Sequence, residues 1–320
     1  TMPDFFGRRY DSNVIKIVAS AIAFVFMIPY TASVYNGLSR LFGMAFDIPY
    51  TVCVITMAVL TGVYVILGGY MATAINDFIQ GIIMLFGIVA VIGAVLSGQG
   101  GFIEAVRKLS ELPSDVPVTM GQQGAFASFF GTDPLNLLGV IILTSLGTWG
   151  LPQMVHKFYA IKSERAIKTG TIVSTFFAVI VSGGCYFLGG FGRLYDAPAL
   201  YKADDSVMYD AIVPSMLSTL PDLLIGVVII LVLSASMSTL SSLVLTSAST
   251  LTLDFIKGNI IKEMDDRKQL IYIRVLIVFF IVISVVLALN PPTFIAQLMG
   301  ISWGALAGAF LAPFLYGLYW

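Results

Sequence analysis

Polar and apolar positions along the chain sort into eight long apolar segments separated by short polar breaks. The segments run at about 14–39, 50–68, 74–97, 135–156, 167–191, 222–253, 270–289 and 295–318. Each is long enough to cross roughly 30 Å of hydrocarbon. A segment in lipid must satisfy its own backbone hydrogen bonds, so all eight are predicted to be helices. The breaks carry loop chemistry. Gly68-Gly69 separates the second and third segments, and Asn290-Pro291-Pro292 separates the seventh and eighth. The stretch from Gln99 to Asp133 reads as a long polar loop with Gly and Pro.

Composition agrees with this pattern. Of 320 residues, 58% are apolar and 11% charged, against roughly 25% charged in a soluble domain. The lipid bilayer is the solvent that fits. A net charge of −1 gives no case for nucleic acid or an anionic surface as a partner. Cys53 and Cys185 lie in apolar runs, with neither metal-ligand spacing nor a disulfide framework. The opening TMPDFFGRRYDS is polar and basic with no signal-type apolar region. It leads straight into a helix, which predicts a piece of a longer protein.

Basic residues set orientation. With both ends in the cytoplasm, the inner segments hold twelve: Arg8, Arg9, Lys16, Lys157, Lys162, Arg165, Lys168, Lys257, Lys262, Arg267, Lys268 and Arg274. The outer ones hold five: Arg40, Arg107, Lys108, Arg193 and Lys202. The even span count agrees. The outer loop from Asp196 to Asp222 is acid-rich and reads as solvated.

Ionisable residues inside a membrane are expensive, so each is a candidate for function. Asp77 lies just inside the third segment, where it also suits the first turn of a helix. Asp254, His156 and Lys157 read as interfacial ends of their segments. The sixth segment is unusual for its hydroxyls, Ser234 to Thr252. On a helical period Ala235, Ser238, Thr239 and Ser242 share a face, with Ser241 beside Ser238. Such hydroxyls often bond their own i−4 carbonyls and let helices pack closely. Their density favours the other use, oxygen ligands for a hard cation. The fourth segment contains LGTWGLPQ. Gly147, Gly150 and Pro152 predict a broken or kinked helix, with Trp149 at the break.

Four stretches carry a family resemblance: LGGYMATAINDFIQGIIMLFG, WGLPQMVHKFYA, LSASMSTLSSLVLTSASTLTLDF and SWGALAGAFLAPFLYGLYW. Together, and in this order, they resemble the sodium/solute symporter family, which includes sodium/proline, sodium/galactose, pantothenate and sialic acid transporters. The resemblance spans nearly all 320 residues and implies one transmembrane domain over 1–320. The implied fold is an all-α membrane protein, the five-plus-five inverted repeat of the leucine transporter. The eight segments then stand for core helices three to ten, without the first two. It also implies a sodium position formed by the Ala235 carbonyl and the Ser238 and Thr239 hydroxyls. A second position would use Asp77, Ser241 and Ser242. Thr144, Thr148, Trp149 and Trp303 would line the solute pocket. The proline transporters carry aromatic residues at the places of Thr144 and Thr148, so the sequence departs from them there.

The expected function is therefore sodium-coupled symport of a small organic solute by alternating access, with sodium as coupling ion, no organic cofactor and no enzyme activity. An ion channel would need a filter loop or rings of charge. A membrane enzyme would need paired acids, a metal set or an activated nucleophile. Neither pattern is seen.

Overall fold

The computed structural model describes every residue except 160, 196–199, 202–206, 258 and 262, and every described side chain except those of 69–73. Asp196, Lys202 and Lys262, used above to read charge and orientation, lie outside the described residues. The described residues are mostly helical, with two isolated β-bridges and no named strand among them.

Eleven α-helices are described in chain order. A short α1 (Met2–Arg9) precedes α2 (Asn13–Phe46), α3 (Tyr50–Gly98) and α4 (Phe102–Glu111). Then come α5 (Pro134–Ser145), α6 (Pro152–Phe158), α7 (Glu164–Gly190), α8 (Tyr209–Ser218), α9 (Asp222–Thr250), α10 (Asp266–Leu289) and α11 (Ile295–Tyr319). Side-chain caps start several of them where the sequence places an Asx or Ser. Ser12, Asp133, Ser163 and Asp265 each accept a backbone N–H three residues on, satisfying donors the first turn leaves unpaired. Seven helices are long and apolar enough to cross a membrane, or eight with the bent pair α5/α6.

Two expectations change. The Gly68-Gly69 break is not an interruption of helical hydrogen bonding: α3 runs 49 residues through it. A straight helix of that length would measure about 73 Å, far more than a bilayer core. It is bent. The Asn76 amide donates to the Tyr64 hydroxyl at 3.0 Å, twelve residues away, where a straight helix would interpose about 18 Å of rise. The stretches 50–68 and 74–98 on either side of the bend are each long and apolar enough to be a separate span. The polar stretch 99–133 is also more ordered than a loop. It contains α4, which buries Ala105 and Leu109 at i, i+4 against Phe191, while Arg107 joins Glu104 and Glu111 on its exposed face.

The core lies among α2, α9, α10 and α11, where Met27, Tyr35, Leu38, Leu240, Leu243, Phe280, Leu306 and Phe310 are buried. Small hydroxyls on α2, including Ser20, Thr31, Ser33 and Ser39, are buried beside them, which lets backbones approach closely in an apolar solvent. Both chain ends fall at one end of the bundle, called here the near end. There Arg9 Nε donates to the Gly317 carbonyl at 2.7 Å and the Tyr10 hydroxyl to the Pro313 carbonyl at 2.6 Å. Lys16 also pairs with Asp4 at 2.7 Å and Asp254 at 3.4 Å. At the far end the Tyr50 hydroxyl donates to the Ala288 carbonyl at 2.6 Å, and Asp210 accepts the Ile295 N–H at 2.9 Å.

Candidate functional site

The fourth segment breaks where its sequence suggested, and the local reason is visible. Gly147–Gly150 tightens into a 3-10 turn, Leu151 is extended at φ −83°, ψ 119°, and α6 restarts at Pro152. Proline forces its predecessor out of the helical region and suits the first helical position, whose N–H is unpaired anyway. The two pieces meet at 50°. Gly150 is needed for contact as well as for turning: a Cβ there would lie 2.9 Å from the Ala307 Cα of α11.

This bend carries the polar face of α6 against α3 and α9. Gln153, His156 and Lys157, at i, i+3 and i+4, line a cavity of about 280 Å³. The opposite walls are Ala74 and Asp77 of α3, and Ser241, Ser242, Leu245, Thr246 and Ser249 of α9. The three residues expected to form a second cation position are therefore brought to one cavity. Lys157 Nζ donates to Asp77 Oδ2 at 3.3 Å. Asp77 Oδ1 is buried without a partner, and so are both polar atoms of Gln153, a side chain only 4% exposed. Buried polar atoms are nearly always hydrogen-bonded. Here an acid oxygen and an amide face a hydroxyl-lined space, a donor set suited to a hard cation, which takes oxygen ligands.

A second cavity, of about 710 Å³, opens toward the far end. It is lined by Ala235, Ser236 and Thr239 of α9, with Tyr30, Ser33 and Gly37 of α2 and Asp210 of α8 among others. The Thr239 hydroxyl donates to the Ala235 carbonyl at 2.9 Å, which leaves its lone pairs free. Ser238 is half-buried and lines neither cavity; its carbonyl accepts the Ser241 hydroxyl at 3.0 Å. Ala235, Thr239, Ser242, Thr246 and Ser249 follow one another at helical spacing, so a single stripe of α9 faces the far cavity with one half and the near cavity with the other. Below the stripe, Leu251–Ile256 widens into a π-helical turn that carries Asp254, an irregularity frequent at functional sites.

The residues expected around a solute are not gathered in either cavity. Thr144 and Thr148 donate to the carbonyls of Val140 and Ser145 within their own helical turns, at 2.8 and 2.9 Å. Trp149 is exposed. Trp303 meets the Tyr30 ring edge-on at 5.5 Å, and so adjoins the far cavity through it.

Three of the residues read as interfacial ends are more than that. His156 and Lys157 line the near cavity, and His156 Nε2 accepts the Met2 N–H at 3.2 Å. Asp254 is 2% exposed and held by Lys16. Gln153 was not singled out in the sequence. Its spacing to His156 and Lys157, directly after a helix-restarting proline, was the available signal.

The whole chain, residues 1–320, matches the sequence profile of the sodium:solute symporter family. It is 28% identical over 323 residues to the sodium/pantothenate symporter of Haemophilus influenzae, covering all of this chain and 64% of that protein. It is 30% identical over 340 residues to a sodium/proline symporter of Staphylococcus aureus, covering 61% of it. The chain thus spans a little under two thirds of the length of these curated relatives. A solved structure of a Na+-coupled sialic acid symporter, described as substrate-bound, outward-open and revealing a novel Na+ site, superposes with a TM-score of 0.74 at 17% identity, over 98% of this chain and 66% of that one. The bundle therefore has that protein's fold, and the chain, an integral membrane protein of several spans, belongs to the sodium:solute symporter family.

Proposed function

We propose that this chain supplies the cation-handling helices of a sodium-coupled symporter that moves a small organic solute by alternating access. The observation that carries the reading is the stripe on α9. Its near half shares a cavity with the unpartnered oxygens of Asp77 and Gln153, and its far half presents Ala235 and Thr239 to a larger cavity. The first sodium takes the Ala235 carbonyl and the hydroxyls of Ser238 and Thr239. A second takes Asp77, Ser241 and Ser242. Solute sits beside the break of the fourth span, where Thr144, Thr148, Trp149 and Trp303 supply contacts.

Sodium entering these positions orders the helices around them and raises solute affinity. By linkage, solute raises sodium affinity by the same factor. Rocking of one helix group against another then opens the opposite side. The excess of basic residues at the near end supports a reading in which that end, and both ends of this chain, face the cytoplasm, in a plasma or inner membrane. Two named relatives carry proline and pantothenate; threonines at 144 and 148 argue for a solute other than proline.

Uptake into proteoliposomes tests this. Uptake of the transported solute driven by an imposed inward sodium gradient, and not by an equal potassium gradient, is expected. Uptake indifferent to the sodium gradient overturns the reading. Screening proline, pantothenate and sialic acid for thermal stabilisation in sodium against potassium identifies the solute class.

A further inference from the structure

The near cavity already contains a cation, and it belongs to the protein. Lys157 Nζ sits 3.3 Å from Asp77 Oδ2, while Oδ1 of the same carboxylate is buried with no partner. The two side chains are unequally enclosed: 18% of the Asp77 side chain is exposed against 48% of that of Lys157. The ammonium can therefore leave for water along its flexible stem, whereas the carboxylate cannot follow. A metal ion bound to Asp77 would share one carboxylate with that ammonium, and like charges so near each other in a partly buried cavity repel. Both cannot be held at full strength. Gln153, one turn before Lys157 on the same face, has a buried amide with no partner on either atom.

We propose that Lys157 is a tethered counter-ion that occupies Asp77 when the near cavity holds no metal ion and is displaced when sodium enters, the Gln153 carbonyl turning in as an added ligand. This rests on the reading that the cavity takes a sodium ion. Its consequence is mechanical. Gln153 and Lys157 both sit on α6, whose first residue is at the break of the fourth span. Exchange of ammonium for sodium changes the forces on α6 and so reports ion occupancy to the bend beside Thr148 and Trp149.

The test is the sodium dependence of solute uptake in proteoliposomes for Lys157→Met, Lys157→Arg and Asp77→Asn. With the competitor gone, Lys157→Met is expected to lower the sodium concentration for half-maximal uptake about ten-fold. Lys157→Arg, still cationic, stays within about two-fold of the parent protein. Asp77→Asn raises the requirement at least ten-fold. An unchanged sodium dependence in Asp77→Asn removes the underlying site. A shifted Asp77→Asn with an unshifted or weakened Lys157→Met keeps the site and overturns the exchange. A measurement on the unmodified protein covers the case in which Lys157→Met fails to fold. Labelling of Lys157 by an amine-reactive acylating reagent, read by mass spectrometry, is expected to speed up several-fold on replacing choline by sodium. An equal rate in both overturns the exchange.

Discussion

Gly150 lies directly against the backbone of Ala307: a Cβ on the glycine would stand 2.9 Å from the Ala307 Cα and 3.2 Å from the Leu311 nitrogen. The bend of the fourth span is thus keyed into α11 by backbone, where nothing can rotate away. Gly150→Ala is expected to destabilise the protein by about 1–3 kcal/mol, as overpacking does, and to abolish transport. Ala307→Gly does not rescue it, because the clash is with a Cα. Gly139→Ala, in open space on the same segment, is the control and leaves thermal stability in detergent unchanged or slightly raised, since alanine suits a helix interior better than glycine.

On α9, Thr239→Ala deletes an oxygen from the far half of the stripe. Sodium activation of uptake is expected to weaken at least ten-fold, and Thr239→Ser, which keeps the hydroxyl, stays near the parent. Ser238→Ala is expected to weaken activation too. A normal sodium curve in either alanine variant removes that residue from the site.

At the near end, Asp4 is pushed up by partial burial, but the hydrogen bond and charge of Lys16, and the charge of Arg8, outweigh that and hold its carboxyl below the usual 3.8. A group with a depressed folded value contributes stability above its unfolded value and loses it as pH falls through the folded one. The docking of α1 is therefore strongest above the usual 3.8 and weakens as pH drops below it. Protease protection of α1 measured from pH 7 to 3 should show this loss, and Asp4→Asn should be weaker at neutral pH with the acid step gone.

The bend in α3 is held in part by Asn76 and Tyr64. Tyr64→Phe removes one neutral hydrogen bond and is expected to lower stability by about 0.5–1.5 kcal/mol. A larger loss from Asn76→Ala than from Tyr64→Phe would show that the amide does more than make this bond.

The spans were legible because length and apolarity alone decide them: all eight segments are found with ends within a few residues of expectation, save α2, which continues to Phe46. The bend at Gly150-Leu151-Pro152 was legible because proline restricts itself and its neighbour. At Gly68-Gly69 the two spans separate where expected, but helical bonding runs on through the junction, since glycine permits a bend without ending a helix. In α4 the buried pair Ala105 and Leu109 was masked by polar neighbours. The cavity was legible in Asp77, Ser241 and Ser242. It was not in Gln153 and Lys157, because Asp77, which pairs with Lys157, lies eighty residues away and only the 50° bend between α5 and α6 brings their helix to it.

That separation along the chain has a consequence for biogenesis. Asp77 belongs to α3, which is synthesised before α6 exists. An acid at the centre of an isolated span raises the insertion free energy by roughly 2.5–3.5 kcal/mol. Asp77 escapes most of this by its place, the fourth residue of the second span of α3, next to the bend. Moving the acid one or two turns deeper into the span would leave the finished protein with room for a cation, and the nascent one with a charge stranded in lipid.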